Sequence, residues 1–165
     1  MIGKKTQDGF NAQIQHELGS AYLYLSMAAY FHSANLNGFA RWMRVQTKEE
    51  EAHGMKFFDH LNDRGGRIEL EELPKPKFKW ASPLDAFRAA YAHEQFITGK
   101  INALCKLAEK EGDYAAKVFL DWFVKEQVEE EAAASNIVQL LERIKDSGSG
   151  LVMLDKELGK REFHG

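Results

Sequence analysis

Glu17, Glu50 and His53 recur 77 residues further on as Glu94, Gln127 and Glu130, and each of the six falls in a stretch with helical apolar periodicity. In both copies the first acid stands 33 residues before the second position and 36 before the third. An α-helix turns once in about 3.6 residues, so Glu50 and His53 share one helix face, as do Gln127 and Glu130. A chain with this repeat must place acids from several helices beside apolar stripes.

Phe10, Ile14, Leu18, Ala21, Leu25, Ala28 and Phe31 recur at steps of three and four and predict a first helix over about residues 6–34. Asn37 is the candidate N-cap of a second over 37–64, which Gly65-Gly66 ends. Ser82-Pro83-Leu84-Asp85 offers an N-cap, a proline at N1 and an acid at N3, opening a third helix over 83–111. Asp113 caps a fourth over 113–145, and after Ser147-Gly148-Ser149-Gly150 the run Leu151 to Leu158 predicts a short fifth over 151–160. The apolar face of that fifth helix either folds on its own subunit or makes an assembly contact. No stretch alternates as a strand does.

The one long connection, residues 65–82, carries Pro74 and Pro76 and runs up to Pro83. Some 17 extended residues reach roughly 55 Å, more than the length of a 28-residue helix, so the connection predicts a crossover along the bundle rather than a tight hairpin. Folding the first two helices about a turn near residue 35 brings Glu17, Glu50 and His53 level. The same operation about Gly112 brings Glu94, Gln127 and Glu130 level.

A chain of 165 residues, 44% hydrophobic and without a compositional break, fits one domain over 1–165. Its net charge of −3 is mixed along the chain, which argues against nucleic acid and a membrane surface as partners. No apolar run reaches the roughly 18 to 20 residues of a membrane span, and Met-Ile-Gly-Lys-Lys-Thr lacks the apolar core of a signal peptide; the expectation is a cytoplasmic protein. The lone Cys105, beside Leu104 and Leu107, reads as a core thiol.

Glu17 lies between Ile14 and Ala21, and Glu94 between Tyr91 and Ile101, where an uncompensated charge is costly. Two divalent cations would compensate Glu17, Glu50, Glu94 and Glu130, and oxygen-rich ligation with the single imidazole of His53 suits iron or manganese. Any one acid alone reads as a solvated or salt-bridged helix residue; the repeated set does not. Glu49, Glu126 and Glu129 flank the ligands and point about 100 degrees round, either as a solvated acidic face or as a third metal position. Tyr24, two turns after Glu17, is a core aromatic or a redox-active tyrosine beside a metal pair, and Trp122 has the same choice. His16 and His93 face away from the ligands.

The chain resembles the ferritins, most closely the haem-free ferritins of bacteria, over its whole length, including the crossover and the final Leu-Asp-Lys-Glu-Leu-Gly segment. The resemblance implies an all-α, ferritin-like four-helix bundle with a short fifth helix. It implies a first iron site at Glu17, Glu50 and His53 and a second at Glu50, Glu94 and Glu130, with Gln127 beside them. Glu49, Glu126, Glu129 and Glu130 match a third iron position, and Tyr24 matches the family's tyrosine near the centre. The implied activity is a ferroxidase that oxidises Fe²⁺ with dioxygen or hydrogen peroxide and stores ferric mineral in a homo-oligomeric shell of 24 subunits. The alternatives are a di-iron peroxidase or oxygenase with retained iron, and a metal-free bundle with solvated acids. Haem is not expected: haem-containing relatives carry a second Glu-x-x-His where this chain has Gln127-Val128-Glu129-Glu130, and the haem methionine's place is Glu51. The acids that line three-fold pores in animal ferritins would fall at Lys117 and Leu120, so the resemblance does not carry the iron entry route.

Overall fold

The computed structural model describes residues 1–164. Among the described residues the chain forms five α-helices and no strand: α1 (Lys4–Ser33), α2 (Asn37–Asp63), α3 (Pro83–Lys110), α4 (Tyr114–Ile144) and α5 (Gly148–Leu158). α1 packs along α2 and α3 along α4, and the two hairpins meet through α1 and α3. None of the helices is long and apolar enough to cross a membrane.

The helix ends follow local chemistry, with two departures from expectation. Ser82 Oγ accepts from the Asp85 amide at 3.1 Å while Asp85 Oδ2 accepts from the Ala81 amide at 3.0 Å, so the start of α3 is held from both sides. Asp113 accepts from the Ala116 amide and also pairs with Arg64 at 2.8 Å, tying the start of α4 to the end of α2. Gly65 and Gly112 take φ of +67° and +66° to close α2 and α3, a conformation that costs side chains about 1 kcal/mol or more. Asn37 is not the cap of α2; its side chain turns to His32 Nδ1 at 3.0 Å, and Leu36 occupies the cap position without a side-chain bond. The missing cap comes from 117 residues away, where Asp155 Oδ1 of α5 accepts from the Gly38 and Phe39 amides at 2.8 and 3.0 Å. α5 begins at Gly148, earlier than 151, because Ser147 Oγ caps it through the Gly150 amide.

The crossover runs along α1. Gln7, Asn11 and Gln15, spaced four apart on one helix face, bond the backbone at Arg67, at Arg67 and Glu69, and at Glu72, and Ser26 bonds the Lys77 carbonyl. Its last turn delivers Trp80 into the core against Tyr30, with ring centroids 5.4 Å apart. The core itself is in two parts. One apolar cluster gathers Met27, Phe31, Phe39, Trp42, Met43, Trp80 and Phe87 with Leu154 and Leu158 of α5, and the other gathers Phe10, Ile14, Phe57, Leu61, Ile97, Ile101, Leu120 and Phe123. Between them lies a layer of buried polar side chains: Gln13, Glu17, Gln46, Glu50, His53, Glu94, Gln127 and Glu130.

α5 packs on its own subunit with part of its apolar surface only. Leu154 and Leu158 are buried against the chain's own bundle, while Val152 and Met153 stay 61% and 72% exposed. The close approach that seats it is at Gly38, where a Cβ would lie 1.6 Å from the Asp155 carbonyl oxygen. Gly38→Ala is therefore expected to displace α5, remove the Asp155 cap from α2 and cost about 1–3 kcal/mol, read as a lower thermal midpoint and new proteolytic sensitivity at 148–158. Gly99→Ala, with open space at its Cβ, is the control and should be neutral or slightly stabilising.

Candidate metal centre

The polar layer brings together side chains from all four long helices. Glu17 comes from α1, Glu50 and His53 from α2, Glu94 from α3, and Gln127 and Glu130 from α4, and every one is 5% exposed or less. Ligand-type atoms of Glu17, Glu50 and His53 lie within 4.8 Å of one another, as do those of Glu50, Glu94 and Glu130. Glu50 belongs to both groups. A third group, His53, Glu126 and Glu130, shares two members with the first two.

Two glutamines hold this arrangement, and both were missed in the reading of the sequence. Gln13 Nε2 donates to Glu17 Oε1 at 2.8 Å, and Gln46 Nε2 donates to Glu50 Oε1 at 2.8 Å and to Glu130 Oε2 at 2.7 Å. Each stands four residues before its glutamate, and the two are 33 apart, the same interval that separates Glu17 from Glu50. That repeated spacing was a usable signal. On the other side, the Gln127 amide contacts the Glu94 carbonyl at 3.2 Å, its carboxylate at 3.3 Å and the Thr98 hydroxyl at 3.2 Å. The Tyr24 hydroxyl donates to Glu94 Oε1. His93, read as facing away, is not a member of any ligand group, yet its ring lies 5.9 Å from Tyr24 and its Nε2 is 2.7 Å from Ser20 Oγ.

The flanking acids separate into three situations. Glu126 is half-buried, with its carboxylate 4.0 Å from His53 Nε2. Glu49 is half-buried and paired with Arg161. Glu129 is exposed and belongs to none of the ligand groups. Trp122 packs edge-on to His53 at 5.3 Å but is exposed and belongs to neither core cluster, so it covers the centre from the outside. Leu120 is fully buried and Lys117 faces Glu109 at 3.6 Å, an arrangement without an acidic lining at either position.

Electrostatically the layer is short of positive charge. Burial first, and the charge of Glu50 second, push the carboxyls of Glu17 and Glu130 well above the ordinary carboxylate range. The same two causes raise Glu94 to about 8, against the hydrogen bonds from Tyr24 and Gln127. Burial also works on Glu50, but the hydrogen bond and charge of His53, 3.4 Å away, outweigh it and bring Glu50 below its usual value. Burial and Glu94 push the Tyr24 phenol well up. Glu17 Oε2 accepts no hydrogen bond from the protein. A buried carboxylate oxygen without a donor, three carboxyls that resist ionisation and one shared glutamate fit a site for two hard or borderline divalent cations with oxygen and imidazole ligands.

The sign of the pH dependence follows. A carboxyl raised from 4.5 to about 8 in the fold holds its proton where the unfolded chain has lost it, so its contribution is complete below about pH 4.5 and is lost as pH rises toward 8. The metal-free protein should therefore melt on the order of 5 °C lower at pH 8 than at pH 5.5 in calorimetry, and a divalent cation added at pH 8 should more than restore the loss. A metal-free midpoint that rises over this interval would contradict the assignment.

The comparisons with known proteins agree with this geometry. The family model described as a ferritin-like domain matches residues 7–144. The chain is 40% identical over 163 residues to the bacterial non-heme ferritin of Staphylococcus haemolyticus, covering 99% of this chain and 98% of that protein. It is 38% identical to the bacterial non-heme ferritin of Staphylococcus aureus over the same length. Among solved structures it is similar to a closed form of the Archaeoglobus fulgidus ferritin engineered by mutagenesis, at 48% identity and a TM-score of 0.98 over 99% of both chains. It is also similar to a humanized archaeal ferritin, at 49% identity and a TM-score of 0.99 over the whole of both.

Proposed function

The chain belongs to the ferritin-like domain family, and on that premise we propose that it is an iron-storage protein with ferroxidase activity. The observation that carries the proposal is the pair of buried ligand groups joined at Glu50, with Glu17 Oε2 left without a donor. Glu17, Glu50 and His53 receive one Fe²⁺, and Glu50, Glu94 and Glu130 receive the other. Each Fe²⁺ gives up one electron to a single dioxygen, which takes two protons and leaves as hydrogen peroxide. Hydrogen peroxide supplied from elsewhere is the other candidate oxidant.

The residues around the ligands are suited to a substrate that must leave again. Gln127 stands where Glu50 stands in the other half and Glu130 where His53 stands, so the second position exchanges the imidazole for a carboxylate and the shared acid for a neutral amide, and the two positions differ in ligand set. Gln46 holds Glu50 and Glu130 in register before metal arrives, which lowers the reorganisation that binding requires. Carboxylates favour Fe³⁺ over Fe²⁺ through their charge, and the ferric product passes inward to a ferric oxyhydroxide mineral. The catalytic set is Glu17, Glu50, His53, Glu94, Gln127, Glu130 and Tyr24. Glu126 is the flanking acid best placed for a third iron, and Glu49 and Glu129 stand further from the ligand groups.

The same reading takes the whole chain as one ferritin-like unit in a cytoplasmic shell of 24 copies. Val152 and Met153 on α5, with Tyr114 and Val118 on α4, are apolar and exposed in the isolated chain, which supports burial between subunits. A solution particle of the size of 24 chains holding hundreds of irons is the expected result. Stoichiometric iron that survives turnover, without mineral, would instead favour the peroxidase or oxygenase reading.

Anaerobic Fe²⁺ addition followed by air tests the centre directly. Glu50→Ala and Glu130→Ala should each slow the rise in ferric absorbance by roughly a hundredfold, the loss expected when a metal's orienting ligand is removed. Parent-like rates in folded variants would overturn the site.

A further inference from the structure

Arg161 lies three residues beyond the end of α5 and reaches back onto α2. Its Nη2 pairs with Glu49 Oε2, and its Nη1 donates to the Trp42 carbonyl at 3.4 Å. The guanidinium lies over the Trp42 ring, 4.1 Å from its centroid, and the Arg161 carbonyl accepts from Arg41 Nε at 3.1 Å. Three contacts of three chemical kinds fix the side chain and a fourth holds its backbone, and the ion pair is largely covered, with side chains 20% and 22% exposed.

The carboxylate so held is next to the centre. Glu49 adjoins Glu50 in sequence, and its carboxyl, raised by burial, also feels the charges of His53 and Glu126. Yet the ligand group on that side of the centre comprises His53, Glu126 and Glu130 and leaves Glu49 out. An arginine keeps its charge at every physiological pH and grips a carboxylate through a planar fork, so it takes the place beside Glu49 that a cation would need.

We propose that Arg161 determines how many metal ions this centre takes: as the built-in counter-ion of Glu49, it keeps the His53, Glu126 and Glu130 side one carboxylate short of a stable third position. The inference rests on the metal-centre reading above. Arg161 touches no ligand atom of the two principal groups, so it acts through Glu49 as a positioning residue. Because Arg161 follows α5, seating of that helix and the metal count are linked in this chain: whatever holds α5 in place also holds the arginine on Glu49.

Calorimetric titration of the metal-free, assembled protein with Co²⁺, which needs no turnover, decides it. The parent should take two Co²⁺ per subunit. Arg161→Gln should take three, or bind the third at least about tenfold more tightly, because Glu49 is released. Glu49→Gln combined with Arg161→Gln should return to two, and Glu49→Gln alone should leave the parent count unchanged. Identical titrations for Arg161→Gln and the parent, in particles of unchanged size and thermal midpoint, would overturn the proposal. So would loss of a metal on Glu49→Gln alone, an outcome that holds even where Arg161→Gln does not assemble. A parent that binds no Co²⁺ overturns the metal centre itself.

Discussion

Four carboxylates buried at one level of a helical bundle, with one imidazole among them, are the constraint to which the rest of the structure answers. Such a layer is tolerable only when its charge is removed or matched. In the metal-free chain protons do this, since burial and the ionised Glu50 keep Glu17, Glu94 and Glu130 reluctant to ionise. On the proposed function, cations that enter would displace those protons, so loading the centre would be an exchange of protons for metal, favoured as pH rises. The bundle's topology serves the same end: two antiparallel hairpins place one glutamate from each helix at mid-height, and each pair is fixed by its distance from a turn.

The parts remote from the centre are organised to keep that height constant. The crossover is pinned at four points along α1, which fixes one hairpin against the other over most of the bundle's length. Arg64 and Asp113 tie the end of α2 to the start of α4 at one pole. Asp155 does the equivalent at the other pole, where it serves α2 as an N-cap supplied from α5. A slip of one turn in either hairpin moves a glutamate about 5.4 Å and takes it out of its ligand group.

Most of this was legible in the sequence because helical periodicity and hairpin geometry are local quantities. The four long helices fall within two residues of their expected ends, since Ser82, Asp113, Gly65 and Gly112 act on neighbours in the chain. The shared level of Glu17, Glu50, His53, Glu94, Gln127 and Glu130 was legible for a related reason, as a repeat at a fixed offset survives the loss of all three-dimensional information. What escaped was chemistry supplied from a distance. Asn37 looks like a cap by its position, but Asp155 reaches the same amides from another helix. Glu49 reads from its position as either a solvated acid or part of a third metal position, and only the fold brings Arg161 to it. Gln13 and Gln46 escape for a different reason, because an uncharged glutamine on a helix reads as an ordinary surface residue until its carboxylate partners are placed beside it.

The polar layer also divides the apolar core into two clusters that share no member. Mechanically the bundle therefore has a polar middle, with dispersion forces at either end and hydrogen bonds from Gln46 and Gln127 between helices across it. On the proposed function, ions held there would join helices from both hairpins at once, so iron would be both the cargo and, while it stays, a rivet through the middle of the fold. On that reading each transfer of iron from the centre to the interior would loosen that rivet. The stiffness of the bundle at mid-height would then rise and fall with its load, while the two apolar ends keep the helices in register.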